Sequence, residues 1–246
     1  MKLIEIVGLG KLLQVIHLPN LIKFFSIISC CDPRKELLVK FAKKFNITYY
    51  TSNINTFLKY KKSPYLFICS SREASYEILK KVIKVKKKIF CEKPGIFNLQ
   101  DAKKIKKQIH SNKKLKFGYM SRYDTSILFL KKYLKKKKKK LEIKKAIFSL
   151  NNNAFYNPNA KLDYLRTNEK NDFKFSKINY PKFLKKKYRI MYHIFLNRYS
   201  HVINMVNFIF NKIKPLSINA KDIYNYNLVG KWKSSEIFIN CANKKK

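Results

Sequence analysis

Arginine is scarce in a chain crowded with lysine. Lys and Arg together number 56 against 14 acidic residues, a formal charge of +42, yet arginine appears only at Arg34, Arg72, Arg122, Arg166, Arg189 and Arg198. Arginine is the usual residue for bidentate phosphate and guanine contacts. The charge is dense enough to release counterions from a polyanion, but with so few arginines a nucleic-acid partner is not the expected one. Glycine is equally sparse, at 5 residues in 246, while Asn, Ile, Phe and Tyr abound. These are residues of A/T-rich codons, and base bias in the genome yields such a composition without selection for binding. The longest apolar stretch, Val202 to Phe210, is interrupted by asparagine and falls short of the ~20 residues a membrane span needs. Met1 to Val7 alternates like a strand and leads into a glycine turn, so no secretory leader is expected. The five cysteines lack metal-ligand spacing; Cys30 and Cys31 are adjacent, and Cys69 and Cys91 close strands. A reducing, cytoplasmic setting fits them.

What remains is a globular composition, 46% hydrophobic and 15% aromatic, with strands and helices that alternate. Leu3 to Val7 reads as a buried strand, Gly8-Leu9-Gly10 as a turn, and Lys11 to Lys23 as a helix that Pro19 breaks or kinks. Phe25 to Ser29 is a second strand, and Asp32 lies 22 positions beyond Gly10. This is the layout of a dinucleotide-binding βαβ unit. The glycines let the backbone approach a pyrophosphate at the positive end of a helix, and the acid reaches the ribose hydroxyls. The candidate cofactor-binding residues here are Gly8, Gly10, Leu12, Leu13, Asp32 and Arg34. Leu13 stands where a third glycine is usual. Asp32 favours NAD because a carboxylate repels a 2′-phosphate, whereas Arg34 can accommodate NADP.

The alternation continues through a helix from Pro33 to Phe45, short elements at Ile47 to Tyr49 and Ile54 to Tyr60, and a strand from Tyr65 to Cys69 ending in Ser70-Ser71. A helix from Glu73 to Lys84 follows, then Ile89-Phe90, then Cys91-Glu92-Lys93-Pro94. Pro94 cannot donate a backbone hydrogen bond and biases Lys93 away from helical geometry. The strand must end there and present Lys93 at its carboxyl edge, where open α/β sheets bind ligands. A helix to His110 and a sixth strand from Leu115 to Tyr119 complete a doubly wound parallel sheet. His17 and His110 have no partner in sequence and read as structural.

The order of these pieces resembles the glucose-fructose oxidoreductase, inositol dehydrogenase and rhizopine catabolism family (Gfo/Idh/MocA). VGLGKLLQVIHLPNL (7–21), CDPR (31–34), LFICSSREASYEIL (66–79), KKIFCEKP (87–94), FGYMSRYD (117–124) and NRYSHVINMVNFIF (197–210) carry the resemblance. It implies an α/β protein with a Rossmann domain at 1–121 and a shorter α+β domain with a mixed or antiparallel sheet at 122–246. It implies an NAD(P)-dependent oxidoreductase of a secondary alcohol in a sugar, cyclitol or sugar derivative. Lys93 and His201 are then the catalytic residues, and Ser70, Ser71, Glu92, Lys93 and Pro94 join the cofactor set. Arg122, Tyr123 and Asn197 are substrate-binding candidates. Three positions depart from the family: Leu13, Ser70-Ser71 where proline often follows the strand, and Asn197 where members carry an aspartate.

In the second half, a helix from Tyr123 to Lys132 meets Lys135 to Lys140, six adjacent ammonium groups expected as a solvated turn. Leu141 to Leu150 is a strand and Asn151 to Tyr188 an irregular substrate-side insertion. Ser200 is read as the N-cap of a buried helix. That places His201 in the first turn, where the helix dipole keeps its ring neutral and able to accept a proton; His193 is the fallback. Pro215 to Tyr224 and Leu228 to Asn240 form a short sheet, expected either to be incomplete or to be completed by another subunit in a homo-oligomer through that sheet. Two other readings stand beside the dehydrogenase: a family member that binds a dinucleotide without catalysis, and a polybasic protein for nucleic acid or an anionic surface.

Overall fold

The computed structural model describes residues 1–60, 62–109, 114–137, 142–151, 163–169, 180–222 and 225–242. His110 and part of the lysine run, 138–140, lie outside them, as does most of the expected insertion. The described residues fall into two compact units. The first takes Met1–Gly118 and, from later in the chain, 163–169 and 180–181; the second takes the remainder from Tyr119 onward.

The first unit is built on six parallel strands in the order β3-β2-β1-β4-β5-β6. These are β1 (Lys2–Val7), β2 (Phe25–Cys31), β3 (Tyr49–Thr51), β4 (Tyr65–Ile68), β5 (Lys88–Cys91) and β6 (Leu115–Phe117). Parallel strands need crossover helices, and those helices cover both faces. On one side Ile4, Ile6, Leu9 and Leu13 pack with Leu38 and Phe41 of α2 (Lys35–Lys44). On the other, Val7, Leu66, Ile68 and Ile89 pack with Ala74, Ile78 and Val82 of α4 (Arg72–Val82) and Ile105 further on. Both helices put apolar residues at helical spacing inward and lysine outward, as their sequence pattern predicts. The order reverses between β2-β1 and β1-β4, which opens a crevice at the carboxyl ends of β1, β2 and β4.

Pro19 distorts its helix without ending it. A π-turn at Leu13–His17 precedes α1 (Leu18–Leu21), and Leu18 N–H reaches back five residues to Leu13 C=O. Pro19 lacks an N–H and its ring crowds the carbonyl four residues back, so the wider π spacing relieves both problems. A short α3 (Ile54–Phe57) and α5 (Leu99–Gln108) are capped by side chains of Asn53 and Asn98.

The second unit contains α6 (Thr125–Lys136), β7 (Lys145–Asn151), α7 (Arg189–Ile194), α8 (Ser200–Phe210), β8 (Lys214–Ala220), β9 (Tyr226–Trp232) and β10 (Ser235–Ala242). Its sheet runs β7-β10-β9-β8, with β7 parallel to β10 and the other pairs antiparallel. The mixed sheet is therefore as expected. Val202, Val206, Ile209 and Phe210 of α8 pack on Ile237, Ile239, Cys241 and Tyr226.

Two expectations are corrected here. Ser200 is not a helix cap. A π-turn at Phe195–Tyr199 joins α7 to α8, and Tyr199 and Ser200 both have right-handed helical backbone with no side-chain cap. Nothing between Arg189 and Tyr199 stops a helix. His201 consequently lies inside a continuous helical run, and the dipole argument for its neutrality does not hold. In the lysine run, Lys135 and Lys136 close α6 instead of standing in a solvated turn; ammonium groups are favourable at a helix carboxyl end.

Among the described residues one buried ion pair anchors the amino-terminal side of the first sheet. Lys87 Nζ lies 2.6 Å from Glu5 Oε2 and donates to Ser63 C=O at 2.7 Å, while Ser63 N–H reaches Glu5 Oε1 at 3.2 Å. Both side chains are almost fully enclosed, 4% and 1% exposed. Removing one partner leaves a buried charge uncompensated. Lys87→Met should cost about 3–5 kcal/mol in chemical denaturation, and Glu5→Leu/Lys87→Met far less; equal losses in both would contradict this account.

Candidate functional site

The crevice begins at Gly8. Its φ is +91°, and a Cβ there would stand 2.5 Å from Cys69 C=O and 2.7 Å from Ser70 N. Its N–H donates to Cys31 C=O at 2.8 Å. The turn after β1 is thus pressed between the ends of β2 and β4, a packing that any side chain would prevent. At Gly10 the situation is opposite: a Cβ would meet nothing within 4 Å. That open space belongs to a cavity of about 260 Å³ lined by Gly8, Gly10, Lys11, Leu12, Asp32, Arg34, Ser70 and Ser71. A helix starts at Lys11, and the first turn of a helix carries N–H groups without backbone partners. A backbone cradle, an open face at Gly10 and a helix start suit an anionic pyrophosphate.

Leu13, expected at the cofactor, lies elsewhere. It is fully enclosed in the core with Ile4, Ile6 and Leu9 and outside the cavity lining. Its bulk fills space between helix and sheet that a third glycine would leave to closer packing.

Asp32 is nearly buried, 3% exposed, and both carboxylate oxygens are engaged. Oδ2 accepts from Leu9 N–H at 2.7 Å and Arg34 Nη2 at 2.9 Å. Oδ1 accepts from Arg34 N–H at 3.1 Å and Arg34 Nε at 2.8 Å. One carboxylate therefore joins the glycine turn to the end of β2, and the Arg34 guanidinium compensates its charge. The Arg34 charge is held in place in return, chiefly by that hydrogen bond to Asp32, and its pKa is raised. Cys31 and Cys69 also line the cavity; burial pushes both thiols up to about 12, so neither is a thiolate nucleophile at neutral pH.

Residues 163–169, expected in the second domain, pack on the first unit. Leu165 N–H donates to Gln14 Oε1 at 2.9 Å, Gln14 Nε2 donates to Leu165 C=O at 3.2 Å, and Leu165 packs against the first core. Glu169 accepts from Glu36 N–H at 3.0 Å and Leu37 N–H at 3.1 Å, filling the first turn of α2 with a carboxylate as the helix dipole favours. Arg166 lies over the Tyr164 ring at 4.3 Å, and Lys11 approaches the same ring at 5.5 Å. No local pattern in the sequence announces these partners, which stand more than 130 residues apart.

Lys93 follows β5 as the motif predicts. Glu92 N–H bonds Ile68 C=O at 2.9 Å, Gly118 N–H bonds Cys91 C=O at 2.9 Å, and the Lys93–Pro94 peptide is cis. Burial pushes the Lys93 amine below the usual lysine range; the Glu92 carboxylate opposes this and the Arg72 guanidinium adds to it. Glu92 itself is held from two sides. Its Oε2 accepts from Lys93 N–H at 3.1 Å, and its Oε1 lies 2.8 Å from His17 Nε2. The two atoms are in close contact without forming a hydrogen bond. His17, read as structural and partnerless, thus meets the Glu-Lys-Pro motif directly.

In the second unit α8 carries His201, Asn204 and Phe208 on one face. The His201 ring meets the Tyr119 ring edge-on at 5.9 Å. Arg122 donates to Asn204 Oδ1, and its guanidinium lies 5.8 Å from the Tyr119 ring and 5.7 Å from the Phe208 ring. The structure therefore groups Arg122 with His201 through Tyr119. Tyr123 is 66% exposed, and Asn197 is exposed one turn before His201 on the same helical run.

A parallel sheet with a glycine turn, a cavity at its reversal point and an acid at the end of β2 defines a dinucleotide-binding Rossmann domain. Residues 2–119 match the model of the oxidoreductase family with an NAD-binding Rossmann fold. That domain is similar to the NAD-binding domains of the Gfo/Idh/MocA oxidoreductases, and the cofactor such a domain takes is a nicotinamide dinucleotide. The uncharacterized oxidoreductase YrbE of Bacillus subtilis is 27% identical over 122 residues, 48% of this chain and 36% of that protein. A probable dehydrogenase from Thermotoga maritima superposes with a TM-score of 0.69 at 19% identity, over 98% of this chain and 68% of that one. The myo-inositol dehydrogenase of Lactobacillus casei, solved with NAD(H) and myo-inositol, gives 0.68 at 16% identity, over 98% and 67%. The chain thus spans little more than a third of the curated relative and about two thirds of these two structures.

The two glycines separate stability from binding. Gly8→Ala should destabilise by at least about 2 kcal/mol, because positive φ and a backbone clash coincide. Gly10→Ala should melt within a few degrees of wild type yet bind NADH at least about tenfold more weakly, because its methyl enters the cavity. Thermal melts and NADH fluorescence titration check both; unchanged NADH affinity in Gly10→Ala would remove the cavity from consideration.

Proposed function

We propose that this chain is a nicotinamide-dependent dehydrogenase of a secondary alcohol in a polyol, sugar or sugar derivative. The observation that carries the reading is Lys93, a half-buried residue at the carboxyl edge of β5 whose backbone N–H is held by Glu92, beside the strand ends that line the dinucleotide cavity. The relative solved with myo-inositol supports the substrate class. The bound cofactor supplies a hydride acceptor or donor. Lys93 holds the substrate oxygen, and its positive charge favours the alkoxide-like transition state. His201 is the proposed proton acceptor, and the Tyr119 ring edge limits its orientation. Asn197, where family members carry an aspartate, is proposed to bind or orient. Arg122 and Tyr123 are proposed to line the substrate side.

The pairing of Asp32 with Arg34 bears on the choice between NAD and NADP. A free carboxylate repels a 2′-phosphate, but Asp32 already accepts four hydrogen bonds, three of them from Arg34. We propose that Arg34 lets the cavity take NADP as well as NAD.

A second reading is favoured by one observation. His201 lies within a continuous helix and lacks the helix-end field that would keep its ring neutral. In that reading the chain binds a dinucleotide without turnover.

The exposed edge strand β8, with Leu216 51% and Ile218 58% exposed, supports assembly with a second copy. Sedimentation velocity should then show a species larger than a monomer.

A panel of polyols and sugar derivatives with NAD and NADP should show substrate-dependent absorbance change. His201→Ala should lower kcat by about 10² to 10⁴, the usual worth of general base catalysis. Lys93→Met should lower kcat while NADH binding persists. Full turnover in either variant removes that residue from the mechanism, and dinucleotide binding with no turnover on any substrate favours the second reading. Arg34→Ala should weaken NADPH about tenfold or more and NADH much less.

A further inference from the structure

His17 is used neither by the dinucleotide cavity nor by the proposed proton transfer, yet it is enclosed and aimed at a charged group. Its side chain is 20% exposed and that of Glu92 is 12% exposed. The ring is fixed on two sides: it meets Phe67 edge-on at 5.0 Å and Phe90 at 6.0 Å, and those two rings stack at 4.6 Å. Phe67 belongs to β4 and Phe90 to β5, so the imidazole sits over the two strands whose ends carry Ser70 and Lys93. Gly118 leaves room on the other side, since a Cβ there would lie 2.5 Å from Glu92 Oε1. Glu92 is therefore enclosed between the end of β6 and the imidazole, with its second oxygen on the Lys93 backbone.

We infer that His17 is a positioning residue for Lys93: by anchoring the Glu92 carboxylate it ties the lysine loop to the helix that follows the glycine turn. The proposal rests on Lys93 being the functional residue of this edge. The titratable and charged groups about Glu92 are His17, Lys93, Cys69 and Cys91, with Arg72 beside Lys93. Cys69 and Cys91 are buried thiols raised well above the usual range and stay neutral, so His17 and Lys93 are the basic residues that Glu92 meets. Without His17, Glu92 loses its partner on the helix side and the Lys93 loop loosens. The amine then gains water and moves back toward ordinary lysine behaviour.

The test reads the lysine itself and needs no substrate. The intact protein is labelled with trace acetic anhydride from pH 7 to 10, and acetylation of Lys93 is followed by peptide mass spectrometry beside buried Lys87 and exposed Lys40. His17→Ala should lower Lys93 acetylation at pH 8 about threefold as its titration moves upward, with Lys87 and Lys40 unchanged. His17→Gln, whose amide can present an N–H near the position of Nε2, should restore the wild-type profile and keeps the test sound if the alanine variant does not fold. Three results would each overturn the assignment: a wild-type Lys93 profile in His17→Ala, Lys87 changing together with Lys93, or His17→Gln behaving like His17→Ala. Absence of turnover on every polyol would sink the dehydrogenase reading and leave the labelling result standing.

Discussion

Three strand ends converge on one peptide group, Val7–Gly8, and the dinucleotide cavity exists because they do. Val7 C=O accepts from Cys69 N–H, and Gly8 N–H donates to Cys31 C=O, each at 2.8 Å. Between them Gly8 lies so near Cys69 and Ser70 that even a methyl group is excluded. This contact draws the turn after β1 down onto its neighbours, so that Leu9 N–H can reach Asp32 and the following helix opens toward the crevice. Loosening it would move the turn, the helix start and the acid together.

Acidic groups are rare in this chain, 14 against 56 basic, and several of them perform connections that no other residue type could. Glu5 compensates a lysine sealed beneath the sheet. Asp32 joins the glycine turn to β2, Glu169 fills the first turn of α2, and Glu92 lies between His17 and the Lys93 backbone. Glu5, Asp32 and Glu92 act where burial makes the interaction stronger than on the surface. Many of the described lysines stand at exposed positions, where single charges change stability little.

The features legible in sequence are those carried by local spacing. Alternating strands and amphipathic helices announce themselves within a dozen residues, and the distance from Gly10 to Asp32 is a consequence of one βαβ unit. What escaped was long-range side-chain partnership. His17 meets Glu92 only because β1 and β5 flank β4, and Gln14 finds Leu165 across 151 positions; neither leaves a periodic trace. Ser200 misled for a different reason. A serine ahead of an apolar run carries a start signal, but the residues before it are also free of helix breakers, and a π-turn at Phe195–Tyr199 lets the helix pass through.

Base bias and structural necessity can be told apart at the level of single residues. Where bias acts freely, lysine and asparagine replace other polar residues on the surface with little consequence for the fold. Glycine, which the same bias disfavours, persists where geometry leaves no alternative. At Gly8, Gly95 and Gly118 a Cβ would come within 2.4–2.5 Å of other atoms, backbone at Gly8 and side chains at the other two, with positive φ at Gly8 and Gly95, so the surrounding structure favours glycine there. Gly10 is different in kind: nothing in the protein lies within 4 Å of a Cβ at that position. Packing cannot account for it, and neither can composition. The open space at Gly10 is accounted for by a ligand that must approach the backbone closely, as a dinucleotide pyrophosphate does.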